Sequence, residues 1–235
     1  MRTFSASDIL DIWEQGRRLH PLDRALLALS TALLEPSEDM ADWPLGRRNH
    51  ALFDFHCQAF GSRLQGWTSC TGCREKVEFD LDASVLVSSQ EEKRARPETL
   101  TVRGERFRLP TSRDLAEVMA GSDTRQAAIG LLERCRENRA EPLALSDAML
   151  EEVEEKLASA DPMADIRLAL RCPACGHEWD GTLDIGRFVW AEIESRARRL
   201  LLEVHHLARA YGWTEAETLS LPAARRAMYL EMVQA

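Results

Sequence analysis

The chain has 235 residues, enough for one large domain or two small ones, and its 45% apolar and 29% charged residues are an ordinary globular composition. Its formal net charge of −9 argues against a protein that grips nucleic acid, because binding to phosphates favours a basic excess. The sequence contains no stretch apolar enough to span a bilayer and no apolar signal-peptide core near Met1. We therefore expect a cytoplasmic protein without membrane or nucleic-acid partners.

Three helices are predicted in residues 1–66, which form an N-terminal helical region. Their ends are indicated by capping residues, by proline in a first turn and by glycine after a last turn. They run from Ser5 or Ser7 to Gly16, from Pro21 to about Leu34, and from Pro44 to Gly61. The acidic segment 35–43, between the second and third helices, is expected to be a loop.

A first cysteine pair, Cys70-Thr71-Gly72-Cys73, follows this region. Apolar and charged residues alternate over residues 76–81, which predicts a half-buried strand directly after the pair. Residues 84–165 are interpreted as an inserted region. It contains a charged linker over 90–98, a hairpin that turns at Gly104, and helices that begin near Thr111 or Ser112, near Asp123 and near Ser146.

A second cysteine pair, Cys172-Pro173-Ala174-Cys175-Gly176, lies between two predicted strands, at about 166–170 and 179–183. Its proline restricts the turn, and its glycine suits a position with positive φ. The remaining region, 185–235, is predicted to be helical. It has a long helix over 185–211 that ends before Gly212, a capping box over 214–217, and a last helix from about Pro222.

The two cysteine pairs carry the strongest chemical signal in the sequence. Two cysteines separated by two residues can point at one ion, and four thiolates suit zinc or iron–sulfur better than magnesium or calcium. In a reducing compartment such pairs are more typical of metal sites than of disulfides. We therefore predict one structural Zn²⁺ bound by Cys70, Cys73, Cys172 and Cys175.

The large separation of the two pairs determines the predicted architecture. About a hundred residues lie between them, far more than in a compact zinc finger. We expect a mostly helical α+β fold with a split zinc ribbon, whose halves are residues 67–83 and 166–184. Such an insertion is tolerable because the entropy of closing a loop grows only with the logarithm of its length.

Other interpretations of the cysteines stay open. The pairs can bind separately or act as redox dithiols, although a redox pair usually opens a helix and these pairs lie beside strands. Catalysis at a zinc ion needs an open coordination position, which four cysteines would close. His177 can replace one cysteine as a ligand, whereas Cys57 and Cys135 lie on apolar helix faces and are expected to be core thiols.

Familiar enzyme motifs are missing from the sequence. It contains no Gly-rich phosphate loop, no G-x-S-x-G nucleophile elbow and no H-E-x-x-H zinc motif. The acidic run over 151–155 is interpreted as a solvated helix face. We therefore expect a protein that is not an enzyme. The aromatic residues near the C-terminus either pack in a core or form a protein–protein surface: Trp190, Tyr211, Trp213 and Tyr229.

Several segments resemble a small family of proteins that accompany the baseplates of contractile-tailed phages and of phage-derived extracellular contractile injection systems. They are 188–193, 199–217 and 219–231, together with 20–27, 109–115 and both cysteine pairs. The C-terminal half is also similar to phage baseplate proteins that include hub assembly chaperones. The first cysteine pair lacks the proline of the second, so its turn is the point at which the match is weakest.

The resemblance implies a role in building or completing a baseplate. The leading hypothesis is a zinc-stabilised assembly factor or chaperone whose partners are baseplate, hub or spike proteins. It would cover an apolar surface or a sheet edge until assembly, since exposed edges invite wrong pairing. The alternatives are a permanent baseplate component and a zinc-ribbon regulator that binds nucleic acid, which the negative charge disfavours.

Overall fold

The computed structural model describes residues 4–86, 99–119, 123–138 and 146–234, so the charged linker predicted at 90–98 lies outside the described residues. The helices are α1 (Ala6–Gly16), α2 (Pro21–Leu33), α3 (Ser37–Ala41), α4 (Leu45–Phe60), α5 (Ser112–Val118), α6 (Thr124–Cys135), α7 (Asp147–Ala160), α8 (Ile185–Tyr211), α9 (Glu215–Ser220) and α10 (Ala223–Gln234). The strands are β1 (Arg63–Ser69), β2 (Lys76–Asp82), β3 (Thr99–Val102), β4 (Glu105–Arg108), β5 (Arg167–Arg171) and β6 (Glu178–Thr182). The fold is mostly helical α+β with short antiparallel strand pairs, as predicted.

The chain divides into two compact units. One combines residues 1–34 with residues 186–235, and the other contains residues 35–185. Both cysteine pairs and the region between them belong to the second unit. The division into four regions that was drawn from the sequence stays a prediction.

Polar side chains begin several helices at the predicted positions. Ser5, Thr111 and Thr214 cap α1, α5 and α9, and each accepts a hydrogen bond from the backbone N–H three residues further on. In each case the acidic residue at that third position accepts a bond from the backbone N–H of the cap, so both orphan donors are satisfied. Local sequence therefore determines where these helices begin.

The segment 35–43 contains the short helix α3, where a loop was predicted. Pro36 precedes this helix, and Glu38 and Asp39 lie in its first turn, where acidic groups interact favourably with the helix dipole. Met40 is fully buried. The prediction of a loop was wrong because five residues are too few to show a helical spacing of apolar side chains.

Each cysteine pair lies at the tip of an antiparallel hairpin. The registers run from Arg63↔Asp82 to Ser69↔Lys76 in the first hairpin and from Arg167↔Thr182 to Arg171↔Glu178 in the second. Strand β1 was not predicted, because Gly66 and the exposed Trp67 interrupt its apolar alternation. Gly66 is needed there, since a Cβ would lie 2.5 Å from the ring of Phe79. The repeated order of strand, cysteine pair and strand is the signal that could have revealed β1.

The inserted region has an apolar core of its own. The hairpin of β3 and β4 turns at Arg103 and Gly104, whose φ values of 49° and 88° are those of a type I′ turn. The predicted turn at Gly104 is thus confirmed. The hairpin packs with α6 and α7 around Val102, Phe107, Leu109, Leu132, Cys135, Met149, Leu150, Val153 and Leu157.

Buried polar contacts attach α4 to the inserted region and to the chain before β5. They run from Leu45 N to Pro110 O (2.9 Å), from Arg48 Nη1 to Ser112 Oγ (2.9 Å) and from Asn49 Nδ2 to Met163 O (2.7 Å). Arg48 and Asn49 are both buried, so these bonds satisfy groups that would be costly to leave unpaired. They hold α4 against both flanks of the insertion.

Trp190 joins three helices in the unit formed by the two ends of the chain. Its ring lies against Gly16 of α1, where a Cβ would come within 2.5 Å, and the guanidinium of Arg24 in α2 lies 4.8 Å from its centroid. Trp190 is therefore a core residue. It belongs to α8, which spans 27 residues, yet no described helix is long and apolar enough to cross a membrane.

Candidate metal centre

The structure brings the four predicted cysteines together. The Sγ atoms of Cys70 and Cys175 are 3.7 Å apart, and those of Cys73 and Cys172 are 3.6 Å apart. All four Sγ atoms lie within 4.8 Å of one another. A disulfide needs a separation of about 2.05 Å, so these are free thiols. The group can hold a metal ion.

The two cysteine turns follow the same backbone path. Cys70 N donates to Glu75 O at 2.8 Å, and Cys172 N donates to His177 O at 2.9 Å. In both turns the N–H four residues after the first cysteine donates to the carbonyl oxygen of that cysteine, at 2.9 Å. The first turn therefore reaches this geometry without the proline of the second.

The residue after the second cysteine is left-handed in both turns. This position is Gly176 in the second turn, with φ 73°, and Arg74 in the first, with φ 64°. A side chain in this region costs about 1 kcal/mol, which glycine avoids. Only the second turn carries the residue type that its backbone prefers.

We expect Arg74→Gly to raise the free energy of unfolding by about 1 kcal/mol, because it removes the left-handed strain. Gly176→Ala should lower it by a similar amount. Urea denaturation of the metal-loaded protein measures both effects. Arg74→Ala is the control, since it removes the same charge and keeps the strain; equal stabilisation by Ala and Gly would contradict the explanation.

Each turn contributes one inner and one outer sulfur atom. Cys70 and Cys172 are each 1% exposed, while Cys73 and Cys175 are exposed. Val77 is buried against the two inner cysteines, Cys70 and Cys172, and Trp179 packs against the same cluster. The centre thus has an apolar inner side and a side open to solvent.

The thiols influence one another's ionisation. The backbone N–H of Cys73, helped by that of Gly72 and by neighbouring thiols, lowers the pKa of Cys70 to about 6. The backbone N–H of Glu75 lowers the pKa of Cys73, but the neighbouring thiols and burial outweigh it and raise that pKa to about 12. One thiolate thus forms readily, whereas further negative charge beside it is unfavourable. A metal cation among the sulfur atoms would remove that repulsion.

His177 contacts the opposite turn. Its Nε2 lies 2.9 Å from Thr71 Oγ1, and its ring stacks on Trp179 with centroids 5.9 Å apart. A Cβ on Gly72 would lie 3.2 Å from the His177 ring, so glycine allows this close approach. Within the described residues the ligand group contains the four cysteines and not His177.

Cys57 and Cys135 lie apart from this group. Cys135 is fully buried in the core of the inserted region, as predicted for a core thiol. Cys57 is half-buried on α4, and burial raises its pKa. Neither thiol belongs to the cluster of potential ligands.

Three aromatic residues near the C-terminus form a second cluster. The ring centroids of Tyr211 and Trp213 are 4.8 Å apart, and those of Trp213 and Tyr229 are 4.9 Å apart. Tyr211 is 41% exposed, and the other two are half-buried. Trp213 and Tyr229 line an open cleft of about 300 Å³ together with Glu217, Ser220, Leu221 and Arg225. Contact between this cluster and a partner stays a prediction.

Comparison of the chain with models of known protein families, with curated proteins and with solved structures finds no match.

Proposed function

We propose that Cys70, Cys73, Cys172 and Cys175 bind one Zn²⁺ and that their two hairpins form a split zinc ribbon. A Zn–S distance of about 2.3 Å places the sulfur atoms of a regular tetrahedron about 3.8 Å apart. The separations of 3.7 Å between Cys70 and Cys175 and of 3.6 Å between Cys73 and Cys172 agree with that edge. This agreement is the observation that carries the proposal.

The ion is proposed to be structural. Four thiolates fill a tetrahedral shell, so no position is left for a substrate or a reactive water. A polynuclear iron–sulfur cluster would place several atoms between the cysteines and spread the sulfur atoms beyond the spacing of a single ion. A single iron ion is the competing metal, because it accepts the same four ligands.

For the cellular role, we propose a non-enzymatic assembly factor for the baseplate or hub of a contractile injection system or phage tail. The support is the resemblance of segments 188–193, 199–217 and 219–231 and of both cysteine pairs to that family. The aromatic cluster of Tyr211, Trp213 and Tyr229 supplies a partly exposed surface of the residue types favoured at interface centres. In this role the zinc site stabilises the fold and the partner surface performs the function.

Elemental analysis of the purified protein tests the metal assignment. We expect one zinc per chain and no absorption from an iron–thiolate centre. A result of one iron per chain would identify the ion in this site as iron instead of zinc. A preparation whose loss of metal leaves the fold and its melting temperature unchanged would contradict a structural metal of either kind.

Co-purification with tagged baseplate and hub proteins from the same genome tests the role. We expect a hub-containing complex from assembling cells and no copy of the chain in purified mature particles. Presence in mature particles would instead indicate a permanent baseplate component. Binding to nucleic acid that weakens steeply with salt would favour the regulator and contradict the proposal.

A further inference from the structure

The outward side of α8 carries a row of exposed side chains. They are spaced alternately by three and four residues, so they follow one side of the helix over about 21 Å. Arg199 and His206, which are seven residues apart and also exposed, lie along one flank of this row. Together with these two residues, the row forms the basic face of α8; its members are Ser195, Arg198, Leu202, His205 and Arg209.

Acidic side chains are missing from this face. Residues 195–210, which the structure describes throughout, include four arginines and one acidic residue, Glu203. Glu203 is directed toward α10, where its Oε2 accepts a hydrogen bond from Nε of the buried Arg226 at 2.8 Å. The positive charge thus collects on one exposed side of a helix, although the chain as a whole has a net charge of −9.

Two arginines of the basic face are not neutralised within the protein. The side chains of Arg199 and Arg209 form no ion pair or hydrogen bond with any residue that the structure describes. Arg198 donates to Glu194 at 2.8 Å, but its side chain is 70% exposed. An exposed pair of this kind contributes little to stability because water and salt screen it, so a carboxylate from a partner can replace Glu194 at little cost.

A membrane surface and a nucleic acid both fit this face poorly. Leu201 and Leu202 are the exposed apolar side chains larger than alanine among residues 195–210, whereas a helix that lies in a bilayer interface needs a continuous apolar side. The face contains no Phe, Tyr or Trp on which bases could stack. The net charge of −9 also repels an extended polyanion. A short acidic segment of a protein meets the local positive charge without these disadvantages.

We infer that the basic face of α8 binds an acidic amphipathic helix of a partner protein. The alternating spacing of the row by three and four residues is the spacing by which one helix packs along another. Leu202 is 59% exposed in the middle of the row and contacts the apolar side of the partner helix. The carboxylates of that helix lie opposite Arg199 and Arg209 and set its orientation.

The identity of the partner, a baseplate or hub protein, rests on the proposed role in assembly. The binding chemistry rests on the charges and the spacing of α8. The two statements can therefore fail separately, and two experiments test them one at a time.

Fluorescence anisotropy with a labelled synthetic peptide tests the binding chemistry on the full chain. The probe is a helical peptide of about 20 residues that has leucine along one side and glutamate at the neighbouring positions. We expect it to bind and to dissociate as the salt concentration rises, because the charges of the face are exposed and are screened by salt. The same peptide with lysine in place of every glutamate should not bind.

Substitutions on the face locate the binding. Arg199→Glu together with Arg209→Glu should raise the dissociation constant at least about tenfold, because two positive charges become negative. Leu202→Asp should have a similar effect, since it places a carboxylate where the apolar side of the peptide lies. The control combines Arg18→Glu with Arg225→Glu, which makes the same charge change at exposed positions outside α8 and should alter the constant less than about twofold. Circular dichroism verifies that each variant is folded.

Co-purification with tagged baseplate and hub proteins tests the identity of the partner. The double variant Arg199→Glu with Arg209→Glu should lose the hub-containing complex, while the control double variant keeps it. A chain that binds the acidic peptide but forms no such complex would contradict the role in assembly and support the chemistry of the face.

Three results would overturn the inference itself. The first is an unmodified chain that does not bind the acidic peptide or binds the lysine peptide equally well. The second is binding that the control variant weakens as much as the variant of the face. The third is tighter binding of single-stranded DNA or of anionic lipid vesicles that the same substitutions abolish, which would assign the face to nucleic acid or to a membrane.

Discussion

Cys172→Ser is expected to abolish metal binding and to unfold the two cysteine hairpins. Cys172 is 1% exposed and lies 3.6 Å from the sulfur of Cys73, so serine would put a poor ligand in a buried position. Structural zinc contributes about 10–16 kcal/mol to the folding of small zinc domains. This contribution is as large as the whole net stability of most proteins, which is about 5–15 kcal/mol. We therefore expect zinc content and solubility to fall together in this variant.

Two further substitutions separate metal binding from simple burial. Cys175 is exposed, so Cys175→Ser should be almost harmless if the thiol binds nothing and severe if it is a ligand. Cys57→Ser changes a half-buried thiol outside the group and should keep both the metal and the fold. Elemental analysis and thermal unfolding monitored by circular dichroism measure the outcome. Normal zinc content in either ligand variant would contradict the assignment.

Asp161→Ala is expected to destabilise the unit of residues 35–185 by about 2–4 kcal/mol. Pro44 precedes α4 and has no side chain that can cap it, so the helix depends on a group from elsewhere. The buried carboxylate of Asp161 accepts a hydrogen bond from Gly46 N at 2.7 Å. Its negative charge also lies at the positive end of the helix dipole. Without this carboxylate, the buried backbone N–H of Gly46 loses its hydrogen-bond acceptor.

Gly46→Ala should cause a loss of similar size for a steric reason. A Cβ at this position would lie 1.7 Å from Asp161 Oδ1, so the carboxylate would have to leave. Combining the two substitutions should cost clearly less than the sum of the single effects, since alanine at 161 frees the space. Gly130→Ala in α6 is the control, because its Cβ would meet Val118 at an ordinary 3.4 Å. Additive losses in urea denaturation would contradict this account.

Local signals explain most of what was predicted correctly. The capping residues Ser5, Thr111 and Thr214 and the turn glycine Gly104 act within a few residues of the sequence, so their positions could be inferred without the fold. The errors occurred where the local signal was short or interrupted. Helix α3 spans five residues, and β1 has Gly66 and Trp67 where alternation would require other residues.

The sequence by itself determined the mostly helical α+β class, the bounds of the long helix α8 and the identity of the four clustered cysteines. Tertiary structure alone decided that the four sulfur atoms lie within 4.8 Å of one another, that Asp161 caps a helix 115 positions away in the chain, and that Met228 and Met232 remain exposed. The physical reason is how far apart in the sequence the interacting residues lie. Caps and turns depend on hydrogen bonds between near neighbours, whereas these contacts depend on how separate elements pack, which no short stretch of sequence encodes.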